Sequence, residues 1–376
     1  MAYEKSGEGR AAGSRARSHR KHKAPLFAAV DLGTNNCRLL VAARKRDSFV
    51  VVDSHSQIAR LGEGLAATGR LSEPAMDRAI DALSKISAKL KAKRVAQVRC
   101  IATEACRRAE NGAEFVARVR DETGLTFKII SGHEEAKLAL AGCHNLIAPE
   151  TENVLVLDIG GGSTELSLVN AKEAEKGGLK GLLSDPPIKA WTSLPIGVVT
   201  LTEAFAHLDE ADAMPAMLAY AREQLATWKY AKSVQRRFAE SRSHVIGTSG
   251  TITCLTGVHL GLTKYRRDRV DGQWMARADM MQVIHDLRDA GPKGRQAFPT
   301  IGTERAGLML AGCAIVEAVW ELVPDAGMRV ADRGLREGLL LTMMQGPKRR
   351  RQRRRRKTAD GGADAPTSQS SEGPAP

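Results

Sequence analysis

The sequence has few aromatic residues and few cysteines, and it lacks long hydrophobic runs. Phe, Trp and Tyr make up 4% of the 376 residues, so aliphatic side chains must form most of any core. The six cysteines include no CxxC pair and no histidine cluster at zinc-ligand spacing, which argues against a zinc site and a disulfide framework. The longest apolar run, 307–323, is interrupted by Glu317 and Glu321, and the first apolar run breaks at Asp31. We therefore expect a cytoplasmic protein with reduced, mostly buried thiols, no membrane span and no secretory signal.

The positive charge is concentrated at the two ends of the chain. The formal net charge is +14, but residues 1–24 carry seven Lys or Arg against two Glu, and residues 347–376 carry nine against three acids. The region between them is nearly neutral, which weakens a nucleic-acid interpretation of the whole protein. We expect a disordered basic arm at 1–24 and a disordered polybasic tail at 347–376, because neither has core residues to bury. A nucleic-acid-associated binding protein that works through Arg349–Lys357 is an alternative of a different class.

A glycine-rich turn between two apolar runs is the central motif. Residues 154–169 read VLVLDIGGGSTELSLV, which predicts a β-hairpin with its functional groups at the tip. The glycines lack Cβ atoms, so the backbone N–H groups can close around an anion. Asp158 enters the turn and Glu165 leaves it, and carboxylates beside a phosphate imply an intervening divalent cation, Mg²⁺ or Mn²⁺. For this motif alone, a glycine hairpin without a ligand is the alternative.

The same motif occurs a second time. Residues 27–41, FAAVDLGTNNCRLLV, align without gaps on residues 154–168, so Asp31 corresponds to Asp158. The two copies are too far apart for a solenoid repeat but suit two duplicated α/β domains that face one cleft. This pair of turns resembles those of actin, the heat-shock-protein ATPases and the sugar kinases.

Three further segments carry candidate functional residues. In SGHEEA, Ser131 and Glu134 have the spacing of a capping box, so Glu134 has a structural role, whereas Glu135 has none and is expected to face the cleft. Arg107 follows the carboxyl end of a predicted strand, where catalytic groups of open α/β sheets gather. The turn at 247–251 precedes a helix whose N-terminus offers a third phosphate contact, with a plain strand-to-helix connection as the alternative.

Hydrophobic periodicity and turn residues predict the main elements. Strands are predicted at 26–30, 39–42, 49–52, 95–101, 126–130, 244–246 and 328–331, and helices at 72–94, 113–122, 279–289, 304–322 and 333–344.

Six motifs occur in the order of the exopolyphosphatase and guanosine-pentaphosphate phosphohydrolase family. They are VDLGTNNCRLLVA, ATEACRRA, ISGHEEAKLAL, LDIGGGSTELSLV, GTSGTITCL and ADRGLREGLL, and the resemblance covers about residues 26–345. The sequence stops soon after the last motif, without a metal-dependent phosphohydrolase-like helical domain, so the short two-domain form is expected. The resemblance implies an α/β fold of two duplicated actin-like domains with a cleft between them. The expected bounds are 25–136 for domain I, completed by a C-terminal helix at about 325–346, and 137–324 for domain II.

The resemblance also implies the site. Glu135 falls on the family's proposed general base, with Arg107 as a phosphate-binding residue and Glu134 as a further catalytic candidate. Asp158 and Glu165 are the expected metal ligands, for Mg²⁺ or Mn²⁺. The expected substrate-binding residues are Asp31, Gly33, Thr34, Asn35, Gly160, Gly161, Gly162, Ser163, Thr164, Ser249, Gly250 and Thr251.

The implied reaction is hydrolysis of a terminal phosphoanhydride. Glu135 takes a proton from the attacking water, while the metal, the loop amides and Arg107 neutralise charge. Inorganic polyphosphate is the expected substrate and guanosine pentaphosphate the alternative, and the SGHEEA glutamates argue against an ATP-dependent kinase of the same superfamily. We expect a homodimer without membrane contact, in which the basic arms contact polyanions.

Overall fold

Two mixed β-sheets organise the structure. The computed structural model describes residues 24–46 and 48–345, so the expected arms at 1–24 and 347–376 lie outside the described residues, except for Ala24. The strands are β1 (Leu26–Leu32), β2 (Asn36–Lys45), β3 (Ser48–Ile58), β4 (Gln97–Ala102), β5 (Phe127–Ile129), β6 (Asn153–Ile159), β7 (Thr164–Asn170), β8 (Ile188–Leu194), β9 (Ser243–Thr248), β10 (Trp274–Met275) and β11 (Met328–Ala331).

The helices flank these sheets. They are α1 (Leu65–Thr68), α2 (Glu73–Lys93), α3 (Glu104–Arg108), α4 (Gly112–Thr123), α5 (Gly132–Cys143), α6 (Ala171–Ser184), α7 (Val198–Ala204), α8 (Glu210–Ala226), α9 (Ala231–Glu240), α10 (Gly250–His259), α11 (Arg267–Val270), α12 (Arg277–Asp289), α13 (Gly291–Ala297), α14 (Thr303–Ala306), α15 (Met309–Leu322) and α16 (Leu335–Gln345). In the described part of the chain, no helix is both long and apolar enough to cross a membrane.

The two sheets have the same strand order, which extends the repeat beyond the two hairpins. The first sheet runs β3-β2-β1-β4-β5, and the second runs β8-β7-β6-β9-β11 with β10 added at the edge. In each sheet the first three strands along the chain are antiparallel neighbours, and the next two add in parallel. The expected fold class, α/β with two duplicated actin-like units, is therefore confirmed.

Helix α2 covers one face of the first sheet. Its buried side chains recur at helical spacing, as predicted. Two of them, Leu83 and Ile86, pack in one core with side chains of β1 and β2. Pro74 lies in the first turn, where its missing N–H costs no hydrogen bond. Ser72 occupies the N-cap position with extended backbone, but its hydroxyl makes no capping hydrogen bond.

Helices α5 and α16 touch at two glycines. A Cβ at Gly142 would lie 2.0 Å from the carbonyl oxygen of Gly334, and a Cβ at Gly338 would lie 2.0 Å from that of Leu138. The backbones can approach this closely only because both residues lack a side chain. Leu340 of α16 packs in the same cluster as residues of β1 and β2, so the C-terminal helix completes the core of the first sheet.

Several predicted bounds differ from the structure. The predicted helix at 304–322 is two helices, α14 and α15, and the region from 198 to 240 holds three helices that the sequence pattern did not resolve. Helix α5 is continuous through residues 136 and 137, so the expected domain boundary falls inside a helix. All six cysteines are buried and unpaired, as expected.

Candidate active site

One cavity of about 660 Å³ lies where the two hairpin tips meet. Both turns line it, at 33–36 and 160–163, and so do the turn at 248–251 and two further segments, at 299–305 and 331–337. The first three of these segments are the turns that the sequence predicted as phosphate contacts, and the cavity is also lined by Thr103, Glu104 and Glu135.

The two hairpin tips contact each other directly. A Cβ at Gly161 would lie 3.0 Å from Cβ of Thr34, and a Cβ at Gly162 would lie 2.9 Å from Oγ1 of Thr34. Each turn closes with the same hydrogen bond, from Gly33 N–H to the Asn36 carbonyl at 3.0 Å and from Gly160 N–H to the Ser163 carbonyl at 2.8 Å. The glycines of the second turn thus permit contact between the two tips as well as approach of a ligand.

Polar groups of both turns are available to a ligand. The N–H groups of Val198 and Val199 donate to the carbonyls of Gly160 and Gly161, at 3.0 and 2.8 Å. Within the described residues, the N–H groups of the turn after Gly160 donate to no protein acceptor. Oδ1 of Asn35 in the other turn is buried without a hydrogen-bond partner. Oriented N–H groups suit an anionic ligand, whereas an unpartnered amide oxygen suits a hydrogen-bond donor or a cation.

Four carboxylates lie close together at the cavity. Asp158 and Glu165 are directly opposed on β6 and β7, and Asp31 occupies the corresponding position of the first copy. Burial, with Glu165 nearby, raises the pKa of Asp158 to about 7. Burial also raises the pKa of Asp31 and Glu165, and it raises the pKa of Glu135 well above its ordinary value, with Glu165 adding to the effect. Such a cluster of acids needs either protons or a cation.

The two adjacent glutamates of α5 have different surroundings. Oγ of Ser131 accepts a hydrogen bond from Glu134 N–H at 3.2 Å, which is one half of the predicted capping box. The Glu134 carboxylate binds Nζ of Lys128 at 2.8 Å and lies outside the cavity lining. The Glu135 side chain is only 12% exposed and lines the cavity. The structure thus brings Glu135 to the other acids and leaves Glu134 at the surface.

Three other predicted residues lie behind the cavity wall. Oε1 of Glu165 accepts hydrogen bonds from the hydroxyls of Ser163 and Ser193, at 2.7 and 2.8 Å. The Thr164 hydroxyl donates to the Ile196 carbonyl at 2.7 Å. Arg107 contacts Glu135, at 3.2 Å, from outside the lining. The remaining predicted residues line the cavity: Asp31, Gly33, Thr34, Asn35, Asp158, Gly160, Gly161, Gly162, Ser163, Ser249, Gly250 and Thr251.

Four arginines that the sequence did not single out also line the cavity, and one of them, Arg333, is paired with Asp271. Arg38, Arg305 and Arg336 have no carboxylate within 4.0 Å among the described residues. Burial and the positive charges of Arg336 and Arg305 lower the pKa of Arg38, whereas the negative charges of Asp31 and Asp158 oppose this shift. Like charges at one cavity without a carboxylate in salt-bridge contact form a site for a polyanion. Arg38 and Arg336 stand inside two of the six motifs, but no local pattern distinguishes them from surface arginines.

The acids do not form a closed metal cage. In the part of the chain that the structure describes, no group of three or more His, Cys, Asp or Glu side chains has a metal-binding arrangement. Asp31 and Asp158 line the cavity, and neither accepts a side-chain hydrogen bond from a described residue. Two such carboxylates fit Mg²⁺, which commonly binds one or two protein carboxylates together with water and substrate phosphates.

The chain belongs to the Ppx/GppA phosphatase family, whose pattern matches residues 40–346. It is 30% identical over 328 residues to a guanosine-5'-triphosphate,3'-diphosphate pyrophosphatase of Aeromonas salmonicida, covering 86% of this chain and 60% of that protein. It therefore spans less than two thirds of the length of that relative. The expected membership of a phosphatase family is confirmed.

Solved structures of family members have the same fold. An exopolyphosphatase from Cytophaga hutchinsonii is 26% identical with a TM-score of 0.74, over 86% of this chain and 99% of that one. The Aquifex aeolicus member of the Ppx/GppA family is 26% identical with a TM-score of 0.67, over 85% and 97%.

Proposed function

We propose that this protein releases terminal inorganic phosphate from inorganic polyphosphate. The observation that carries the proposal is the group of Arg38, Arg305 and Arg336, which face the same cavity as the two glycine turns. Several guanidinium groups without a salt-bridge partner among the described residues suit a ligand with several adjacent negative charges. A ligand with one phosphate would leave part of this charge uncompensated.

Glu135 is the proposed general base. It is mostly buried, lines the cavity and has a raised pKa, which makes it a stronger base than an exposed glutamate. The attacking water gives its proton to Glu135 and its oxygen to the terminal phosphorus, and the shortened chain leaves as the anhydride bond breaks. The turn amides and the three arginines would hold the phosphates and stabilise charge that develops on their oxygens.

Asp31 and Asp158 are the proposed ligands of Mg²⁺ or Mn²⁺. Both carboxylates line the cavity, whereas one oxygen of Glu165 is already bound by two hydroxyls. We therefore assign Glu165 to the support of Asp158 and of the turn. When bound, the ion would neutralise the acids and the phosphate oxygens they face.

Guanosine pentaphosphate is the alternative substrate. The wall of the cavity beside Arg305 includes the apolar side chains of Ile301, Leu308 and Met309, and the ring of Tyr265 also lines the cavity. A partly apolar wall next to a cationic group suits a nucleoside that carries phosphates. The Aeromonas salmonicida relative, named for such a substrate, supports the same alternative.

The test is a phosphate-release assay of the purified full chain. Polyphosphates of several lengths and guanosine pentaphosphate are compared in parallel with Mg²⁺ present, and Glu135→Gln serves as the inactive control. The proposal expects a higher kcat/KM on polyphosphate. A higher kcat/KM on guanosine pentaphosphate would favour the alternative, and release from neither would contradict both.

We also propose a cytoplasmic homodimer, for which the oligomeric state measured by light scattering is the test.

A further inference from the structure

Arg107 is bound by two glutamates from two helices. Its Nε and Nη2 donate to Oε2 of Glu104 at 3.1 and 2.6 Å, while Nη1 donates to Oε2 of Glu135 at 3.2 Å and to the Ile130 carbonyl at 2.7 Å. All three nitrogens of the guanidinium therefore have protein acceptors. Unlike Arg38, Arg305 and Arg336, Arg107 is held by carboxylates of the protein.

Glu104 receives the larger share of the Arg107 contacts. One of its oxygens accepts two hydrogen bonds from Arg107, and the residue also lines the cavity. A Cβ at Gly162 would lie 3.1 Å from Cγ of Glu104, so the side-chain stem packs on the second glycine turn. The Glu104 carboxylate is 18% exposed and that of Glu135 is 12% exposed, so neither pair is a solvated surface contact.

We propose that Glu104 is a positioning residue. It holds the Arg107 guanidinium so that Arg107 donates one hydrogen bond to Glu135 and does not form a bidentate ion pair with it. This inference rests on the proposed function, since it concerns the base of that reaction. A bidentate arginine–carboxylate pair strongly favours the charged carboxylate, which lowers its pKa and weakens it as a base. By sharing the guanidinium, Glu104 orients Glu135 and preserves its basicity.

The groups around Glu135 determine in which direction its pKa would change if Glu104 were replaced. Burial and three acids on other strands raise the pKa of Glu135, and Arg107 lowers it. Without Glu104, the Arg107 charge would act more fully on Glu135 and lower its pKa further. The titratable and charged groups around Glu135 are Arg107 and Glu104 on α3, Asp31, Asp158 and Glu165 on the strands, and His133, Glu134 and Lys137 on its own helix.

The first experiment measures kcat, KM and the pH profile of Glu104→Gln. We expect kcat to fall about 10-fold, KM not to rise because a negative charge leaves the cavity, and the acidic limb to move to lower pH by about half a unit or more. Glu104→Asp keeps the charge and should keep the wild-type limb. Glu110→Gln is the matched control, because Glu110 forms an exposed ion pair with Arg70, and it should match the wild type.

The second experiment tests whether Glu104 acts through Arg107. In an Arg107→Lys background, Glu104→Gln should add little to the loss, because the group that it positions has already changed. Equal fold-losses in both backgrounds would overturn the proposal, as would a wild-type pH profile for Glu104→Gln while Glu135→Gln is inactive. A wild-type protein that releases no phosphate would instead refute the proposed function, and the positioning role with it.

Discussion

Asp158 and Glu165 face each other across the β6–β7 hairpin, where Glu165 is buried and Asp158 is half-buried at the cavity. The structure places two like charges at adjacent positions without an arginine or lysine in salt-bridge contact among the described residues. This arrangement lowers the stability of the folded protein, because each acid disfavours ionisation of the other. A bound cation would relieve the repulsion between them.

Asp158→Asn should therefore stabilise the protein at high pH while it lowers activity. The pKa of Asp158 is raised from 3.8 to about 7, so its contribution to stability is present below 3.8 and is lost as pH rises through 7. Asparagine cannot ionise and does not lose this contribution. With chelator present, we expect a melting temperature about 2 °C or more above the wild type at pH 8, and no difference near pH 4. A variant less stable than the wild type at pH 8 would contradict the assignment.

Glu135→Gln should lower kcat by about 100-fold or more, with little change in KM, because it removes the general base and leaves the phosphate contacts intact. Steady-state phosphate release is the measurement. Glu134→Gln is the matched control on the same helix, and it should alter mainly stability through the Lys128 contact. An inactive Glu134 variant beside an active Glu135 variant would reverse the two roles.

Removal of divalent metal should abolish turnover, because without the metal the carboxylates of Asp31 and Asp158 would repel the polyanion. Activity should vanish with excess chelator and return with added Mg²⁺ or Mn²⁺. Asp158→Asn should raise the Mg²⁺ concentration for half-maximal activity more than Glu165→Gln does, because Glu165 is held by two serines. Full hydrolysis in chelator would exclude the metal role of both aspartates.

Arg336→Ala should raise KM for polyphosphate about 10-fold and leave thermal stability unchanged or slightly higher. A charge-assisted hydrogen bond to a phosphate contributes about 1.5–3 kcal/mol, whereas Arg336 has no described ion pair to lose. The effect should shrink as salt rises. Arg70→Ala, at an exposed ion pair, is the control and should keep the wild-type KM. An unchanged KM for Arg336→Ala would remove this residue from the polyanion site.

Deletion of residues 347–376 should raise KM for long polyphosphate at low salt and leave kcat nearly intact. The segment carries nine positive charges in 347–357, which attract a long polyanion by contacts that salt screens. Guanosine pentaphosphate should be affected much less. Kinetics at several salt concentrations provide the measurement, and a loss of kcat on both substrates at every salt concentration would show that the segment belongs to the catalytic unit.

The local sequence was sufficient for the parts of the site that depend on backbone geometry. Glycine triplets, alternating apolar residues and the Ser131 cap are local signals, and each of them formed the predicted turn, hairpin or helix start. Ser131 caps the helix through the Glu134 N–H, but the Glu134 carboxylate binds Lys128 and does not complete the capping box, so the different roles of Glu134 and Glu135 stay a prediction.

The parts that the sequence did not reveal depend on contacts between distant segments. Arg38, Arg305 and Arg336 come from three separate regions, and only the folded chain brings them to one cavity. Arg107 illustrates the opposite case, because its place in a motif indicated a phosphate ligand while the structure satisfies it with two glutamates. Which charges pair depends on which residues are neighbours in the folded chain. The hydrophobic periodicity of a local segment carries no information about such contacts.

The two copies of the hairpin differ in charge at one equivalent position, where Arg38 opposes Asp31 and Glu165 opposes Asp158. A duplicated pair of identical tips would present the same face to a ligand from both sides, so a chain could enter in either direction. Opposite charges at this position make the cleft polar from one sheet to the other. A polyphosphate chain whose terminal phosphate binds the acids through a divalent metal ion would then have a single orientation. Its terminal phosphate would lie beside the acids, and the rest of the chain would extend past the arginines.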